Sequence, residues 1–380
     1  MNQAEQILLQ AIRKSLWKTD IEFPADTDWE AVLKEAEQQA LLGIAVDAAP
    51  PDVQKAWESR SGAVTVDFIS ILYEQSNLYA LMKKNGIPMA ILKGCATACY
   101  YPNPSLRSMG DIDYLVPPAY FDRAKELMAQ NGYTVREDDR NRRHIHISKG
   151  ATILEQHRQF SSEGFDVEQY VADGMSAIEE RTICGRAFPM LPKLANGLVL
   201  LGHLVQHLKT GLGLRQVIDW MMYVHAELDD AFWNLAFQQA ACETRLETVA
   251  ITMTRLCQIA LGLPDDIQWC RDADTALCSE LLEVLLSSGN FNRKYEKGRS
   301  IQTVTSNLTR KGLFRFLQTA GEYNWATYHR HKWLKPFAWI YQLGRYAKQG
   351  LSSKRSGLQL AEDFKRGDQR TKLLDKLGIR

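Results

Sequence analysis

The chain has 380 residues, room for two or three domains at about 150 residues each, and its 45% hydrophobic and 24% charged residues are an ordinary globular balance. No apolar run approaches the roughly 18 residues of a membrane-spanning helix, the N-terminus lacks the unbroken apolar stretch of a signal peptide, and seven cysteines with no CxxC pair exclude a zinc ribbon and speak against a disulfide framework. The expectation is a soluble, reduced, cytoplasmic protein. Its net charge of +1 hides an asymmetry: residues 291–380 hold 20 basic and 6 acidic residues, a net +14, which leaves −13 on the first 290. That basic end either meets an anionic partner or docks on the acidic remainder.

Residues 2–17 and 28–42 have the apolar spacing of amphipathic helices, the second following Thr27 as an N-cap. Pro50-Pro51 opens a helical stretch that runs to Lys84 and stops at Asn85-Gly86, with Gly62 as an expected break. At Ile87 the texture changes. PMAILKG (88–94) and IDYLV (112–116) are short apolar runs closed by glycine or proline, the pattern of buried strands. Between them lie a short predicted helix over 95–101 and a loop over 103–110. A helix over 118–130 ends at Asn131-Gly132, and strand-like runs follow at 133–137, 143–148 and 151–157, the last two joined by a Lys149-Gly150 hairpin turn. Residues 86–158 therefore read β-α-β-α-β-β-β.

From Pro192 onward helical spacing returns, predicting helices near 193–209, 214–227, 230–241, 243–261, 274–288, 301–318, 334–349 and 358–377. The fold class is α+β, a small mixed sheet embedded in a largely helical protein. The expected division is a helical region over 1–85, an α/β core over 86–190, a helical domain over 191–300 and a basic, aromatic-rich helical region over 301–380. Residues 314–346 of that last region hold 10 of the chain's 36 aromatics. Trp333, Phe337, Trp339 and Tyr341 are expected to be mostly buried against the helices after residue 192, leaving a basic surface.

The chemistry concentrates in LRSMGDIDYLV (106–116). Asp111 and Asp113 alternate with Ile112 at strand spacing, so both carboxylates share one face. Two adjacent acids repel unless a cation lies between them, and hard oxygen ligands suit Mg²⁺ or Mn²⁺. Removing either acid should leave the melting temperature unchanged or raised, because crowding is relieved. Upstream, Gly94 follows an apolar strand and precedes a helix, where backbone N–H groups can hold a phosphate. Downstream, Glu155 interrupts an apolar strand and needs a cleft or a metal. His157 shares its face. His203 and His207 are one helical turn apart, either a structural pair or cleft-lining. HLVQH lacks the glutamate of HExxH, which excludes a zinc protease. His144 and His146 share a strand face and are expected at the surface. Cys95 has no base beside it to make it a nucleophile.

Together these residues resemble the nucleotidyltransferase superfamily of polymerase-β-like fold, and within it the branch reading LKG…R…DIDxLV…GY…ExH followed by HxxxH…LR…D. The matching residues are Leu92-Lys93-Gly94, Arg107, Asp111-Ile112-Asp113, Gly132-Tyr133, Glu155, His157, His203, His207, Leu214-Arg215 and Asp219. The resemblance implies that Asp111, Asp113 and Glu155 hold Mg²⁺ or Mn²⁺ and an NTP, ATP among the candidates. It further implies that Lys93, Gly94, Arg107 and Ser108 bind the nucleotide phosphates, Arg107 by a two-pronged contact, and that Glu155 takes the acceptor proton. His157, His203, His207 and Arg215 would line the cleft. An NMP group would pass to a hydroxyl on a small molecule, a protein or an RNA end. The sequence departs from the superfamily at Cys95, where a Gly or Ser is usual. Two other classes stay open: a non-catalytic nucleotide-binding or regulatory protein of this fold, and a nucleic-acid- or membrane-surface-binding protein using the basic C-terminal region.

Overall fold

A computed structural model describes residues 1–137, 143–160, 166–294, 313–352 and 368–379. The chain divides into two compact units, one over residues 1–294 with 377–379 and one within residues 295–376.

The first unit opens with helices α1 (Gln3–Trp17), α2 (Trp29–Gln38), α3 (Leu42–Ala48), α4 (Pro51–Ala56) and α5 (Glu58–Lys84). Asn2 and Glu5 close a reciprocal capping box at the start of α1. The helix expected over 28–42 ends at Gln38, and a separate helix, α3, begins at Leu42. The long stretch after Pro50 breaks at Trp57 (φ −105°, ψ 6°) and not at Gly62, which lies inside α5 with open space around it.

Seven strands follow: β1 (Ala90–Leu92), β2 (Ile112–Leu115), β3 (Thr134–Arg136), β4 (His144–Lys149), β5 (Thr152–His157), β6 (Glu179–Ile183) and β7 (Arg186–Met190). Helices α6 (Cys95–Ala98), α7 (Phe121–Gln130) and α8 (Glu168–Met175) intervene. The strands form one mixed sheet in the order β3-β4-β5-β2-β1-β7-β6, with β2/β5 and β1/β7 parallel and the other pairs antiparallel. The β-α-β-α-β-β-β order over 86–158 is the one the sequence predicts. The β6–β7 hairpin is an addition. Its turn, Cys184-Gly185, holds both residues at positive φ (48° and 74°), the two-residue geometry that suits strand twist. The charged start of β6, Glu179-Glu180-Arg181, hides the strand from an apolar-run reading.

Strand alternation then decides what each face carries. Ile112 and Tyr114 of β2, Ile145 and Ile147 of β4 and Leu154 of β5 pack under Phe68, Leu72 and Met82 of α5 and Phe121 and Met128 of α7. Gln156 shares that buried face. It is satisfied there, accepting from the Tyr114 hydroxyl at 2.8 Å and donating to the Phe121 carbonyl at 2.9 Å. The opposite face carries Asp113, Glu155 and His157. Helices α9 (Lys193–Thr210), α10 (Leu214–Glu227), α11 (Asp230–Phe232), α12 (Gln238–Glu243), α13 (Glu247–Leu256) and α14 (Thr275–Ser288) complete the unit, with Trp220, Tyr223 and Phe237 fully buried among them.

In the second unit, α15 (Leu313–Asn324), α16 (Ala326–Arg330) and α17 (Ala338–Ser352) are described. The helices expected over 301–318 and 358–377 lie partly outside the described residues. The aromatic residues correct the expectation of burial: Trp333 is 71% exposed, Phe337 and Tyr341 are exposed and Trp339 is half-buried. Among the described residues of this unit, Phe316, Leu317, Tyr328, Ala338, Leu373 and Leu374 are buried, and α15 approaches α17 so closely that a Cβ on Gly321 would strike the Ala338 backbone. Phe314 meets Trp339 at 5.9 Å, and Trp325 stacks on Tyr341 at 5.0 Å. Among the described residues, no helix is long and apolar enough to cross a membrane.

The connection between β1 and β2 is tied to α10 by a buried ion pair. Arg107 donates from Nε to Asp219 Oδ1 and from Nη2 to Oδ2, both at 2.7 Å, and the Tyr101 hydroxyl donates to Oδ1 at 2.7 Å. Arg107 is 4% and Asp219 6% exposed. Asp219→Ala, which leaves the guanidinium buried and alone, is expected to lower stability by about 3–5 kcal/mol. The Arg107→Met/Asp219→Leu double variant should recover much of that loss. Urea unfolding of the three proteins checks both outcomes.

Candidate active site

Strand register assembles the site. Asp113 lies opposite Leu92 of β1 and Glu155 of β5, and Glu155 in turn lies opposite His146 of β4. The next row along the same face places His157 opposite His144. Asp111, two residues before Asp113, reaches the same side. One carboxylate oxygen from each of Asp111, Asp113 and Glu155 falls within 4.8 Å of the others. The three acids singled out in the sequence are thus brought together.

Asp113 is the buried member, only 3% exposed, and both its oxygens are held: Lys93 Nζ lies 2.7 Å from Oδ2 and His157 Nε2 2.9 Å from Oδ1. Burial alone would raise its pKa. The Lys93 ammonium and the His157 hydrogen bond overcome that and hold it far below the usual carboxylate range. Glu155 is also held below its ordinary value against the pull of burial, chiefly by its hydrogen bond with His157. Asp111 shifts the other way. The protein around it and the charge of Asp113 raise its pKa, although its side chain stays exposed. For His157, burial pulls the pKa down, and the bonds to Asp113 and Glu155 raise it above its ordinary value.

Lys93 reaches Asp113 from a turn with two consecutive positive φ angles, 53° at Lys93 and 47° at Gly94. A left-handed lysine costs about 1–2 kcal/mol, and Gly94, at ψ −114°, occupies a region that side chains avoid. Helix α6 is a single turn whose Ala96, Thr97 and Ala98 amides return to the Lys93 and Gly94 carbonyls. A phosphate cradle at this turn would rest on the Gly94 and Cys95 amides. Cys95 is fully buried and its thiol is pushed up to about 12 by that burial, which leaves it inert.

A cleft of about 710 Å³ opens over these residues, lined by Ser108, Met109, Asp111, Glu155, His146 and Arg215, with Glu37 and Asp67 from the N-terminal helices and Phe291 and Arg293 from the segment after α14. Arg107 corrects the sequence expectation. Both prongs of its guanidinium are spent on Asp219, so it does not present the fork to a phosphate. Arg215 does reach the cleft. Its Nη1 donates to the Ser108 carbonyl at 3.1 Å, while its buried Nε has no partner among the described residues. Burial and the nearby Arg107 lower its pKa, against the pull of Asp219 and Asp111. His203 and His207 meet edge to face at 4.2 Å, and His207 packs on Phe291 at 4.9 Å. Burial drives both pKa values down, His207 to about 3, so both imidazoles are neutral.

His144 and His146 are a second correction. Both were expected at the surface away from the acids; His146 is exposed as expected, but both lie beside Glu155. His144 Nε2 lies 3.8 Å and His146 Nδ1 3.5 Å from the Glu155 carboxylate. The His-x-His of β4 faces the Glu-x-His of β5 across the hairpin, and that pairing was the available signal. Tyr101, Glu37, Asp67 and Phe291 carried no local signal of a role, because tertiary packing alone delivers them.

A mixed sheet with a glycine turn after one strand and three converging carboxylates on two others defines a nucleotidyltransferase-type α+β core. The chain belongs to the uncharacterised nucleotidyltransferase family, whose model matches residues 25–262. Comparison with curated proteins finds no relative. Among solved structures, the chain is similar to the solution structure of the antibiotic-resistance factor ANT(2'')-Ia, at 14% identity and a TM-score of 0.34 over 51% of this chain and 96% of that one. It is likewise similar to the crystal structure of ANT(2'')-Ia in complex with adenylyl-2''-tobramycin, at 14% identity and a TM-score of 0.32 over 50% and 97%.

The geometry separates two acids that the sequence treats alike. Asp111→Ala is expected to leave the melting temperature unchanged or raised, since an exposed, crowded carboxylate is lost. Asp113→Ala strands the Lys93 ammonium and is expected to cost about 2 kcal/mol or more, which overturns the expectation of neutrality for that residue. Because the folded-state pKa of Asp113 is depressed, its contribution is present above its unfolded value. The gap between wild type and Asp113→Ala should therefore close as the pH falls below about 4. Thermal melts of both variants at neutral and acid pH measure this.

Proposed function

We propose that this protein is a metal-dependent nucleotidyltransferase that moves an NMP group from an NTP to a hydroxyl acceptor. The observation that carries the reading is the convergence of Asp111, Asp113 and Glu155 within 4.8 Å of one another, with Asp111 and Glu155 lining a cleft that also holds Arg215. The donor set suits Mg²⁺ or Mn²⁺, being hard carboxylate oxygen from two strands. Asp111, Asp113 and Glu155 are the residues that would hold the ion. When bound, the metal supplies charge for the triphosphate and lowers the pKa of the acceptor hydroxyl.

The remaining roles belong to the chain's own groups. Arg215, with a buried and unpartnered Nε, is the cation for the polyphosphate in place of Arg107. Lys93 carries a second positive charge on the same side of the site. Glu155 is ionised, lies at the cleft surface and accepts the hydroxyl proton. His157 orients Asp113 through its 2.9 Å contact. A second reading, nucleotide binding without transfer, is favoured by one observation: Lys93 already supplies Asp113 with a cation at 2.7 Å.

Incubation with each α-labelled NTP, Mg²⁺ or Mn²⁺ and a panel of hydroxylated small molecules, protein and RNA distinguishes the two. Label transfer that is abolished by chelation and restored by the metal supports catalysis; nucleotide binding with no transfer to any acceptor supports the second reading. Asp111→Ala should lower kcat by at least about 100-fold, more than the loss of an outer partner of a metal site. Arg215→Ala should act mainly through KM for the NTP, raising it about tenfold, the worth of one charge-assisted hydrogen bond.

A further inference from the structure

His144 of β4, which has no part in the transfer reaction, clusters with Glu155 and His157 of β5. One atom each from His144, Glu155 and His157 falls within 4.8 Å of the other two. His157 Nε2 lies 3.6 Å and His144 Nε2 3.8 Å from the same Glu155 oxygen, Oε2. The rings of His144 and His157 are 4.8 Å apart. Backbone register holds the arrangement, because His144 and His157 are directly paired across the hairpin and Glu155 lies one row away on the same face.

We propose that His144, Glu155 and His157 form a binding site for a borderline transition ion, Zn²⁺, distinct from the carboxylate set that suits Mg²⁺ and sharing Glu155 with it. Two ligand atoms of a tetrahedral zinc, each at about 2.0–2.2 Å from the metal, are about 3.3–3.5 Å apart. The two histidine-to-Glu155 distances already approach that spacing. Imidazole nitrogen discriminates: it binds zinc well and magnesium poorly. The fourth position faces the cleft beside His146, whose Nδ1 is 3.5 Å from the other Glu155 oxygen. Binding replaces the contact of His157 Nε2 with Asp113, which keeps Lys93 as its counter-ion. Where the nucleotidyl-transfer reading holds, zinc at this position withdraws Glu155 from the magnesium set and inhibits transfer.

Calorimetric titration of the metal-stripped full chain with Zn²⁺, in excess Mg²⁺, tests the site directly, and Co²⁺ serves as the coloured probe. The expected result is one Zn²⁺ per chain undisplaced by Mg²⁺, with visible absorption bands of a low-coordinate nitrogen- and oxygen-bound cobalt. His144→Ala should weaken zinc binding at least about tenfold, the lower bound for disturbing a metal's surroundings, whereas Asp111→Asn should leave it essentially unchanged. If the alanine variant melts early, His144→Gln keeps the bulk and removes the ring nitrogens, and decides the same point. Absence of zinc binding, or equal affinity in the His144 variants, overturns the proposal. The readout is binding, so its failure leaves nucleotidyl transfer standing, and a lack of transfer leaves the zinc site standing.

Discussion

A carboxylate that is 3% exposed at the centre of a sheet must be compensated where it lies, and much of this protein's site follows from how Asp113 is compensated. Lys93 reaches it only because the chain leaves β1 through two left-handed residues. His157 reaches it only because β5 runs parallel to β2 with Glu155 opposite Asp113. Each of these is locally unfavourable or unremarkable. Together they make a fixed ion cluster whose one exposed acid, Asp111, and one half-open acid, Glu155, face the cleft.

A second buried pair, Arg107 with Asp219, joins the segment between β1 and β2 to helix α10. It has a consequence for the cations of the site. With Arg107 neutralised, Arg215 one turn before Asp219 faces the cleft with a buried Nε that has no partner among the described residues. The two arginines thus divide structural and anion-facing work, and the neutral His203–His207 pair fills the space beneath them without adding charge.

Much of the core was legible in the sequence for a simple reason. Period-two alternation in Asp111-Ile112-Asp113 and in Leu154-Glu155-Gln156-His157 is a property of a single strand, and it assigns side chains to faces before any partner is known. The β6–β7 hairpin escaped because charge at its start masks the alternation. The aromatics of residues 314–346 misled for a different reason: ring content does not by itself report burial, and Trp325 stacks on the exposed Tyr341.

By itself the sequence determined the α+β class, the order of elements through residue 158 and the three acids, since these depend on local periodicity and turn chemistry. Only the tertiary structure decided the division of labour among them. Strand register made Asp113 a buried ion-paired group and Asp111 an exposed one, although the two differ by a single residue between them. Packing against α10 took Arg107 out of the cleft and left Arg215 in it. The β4–β5 pairing made His144 and the exposed His146 neighbours of Glu155. Desolvation and charge pairing act between elements distant in sequence, so no local pattern encodes them.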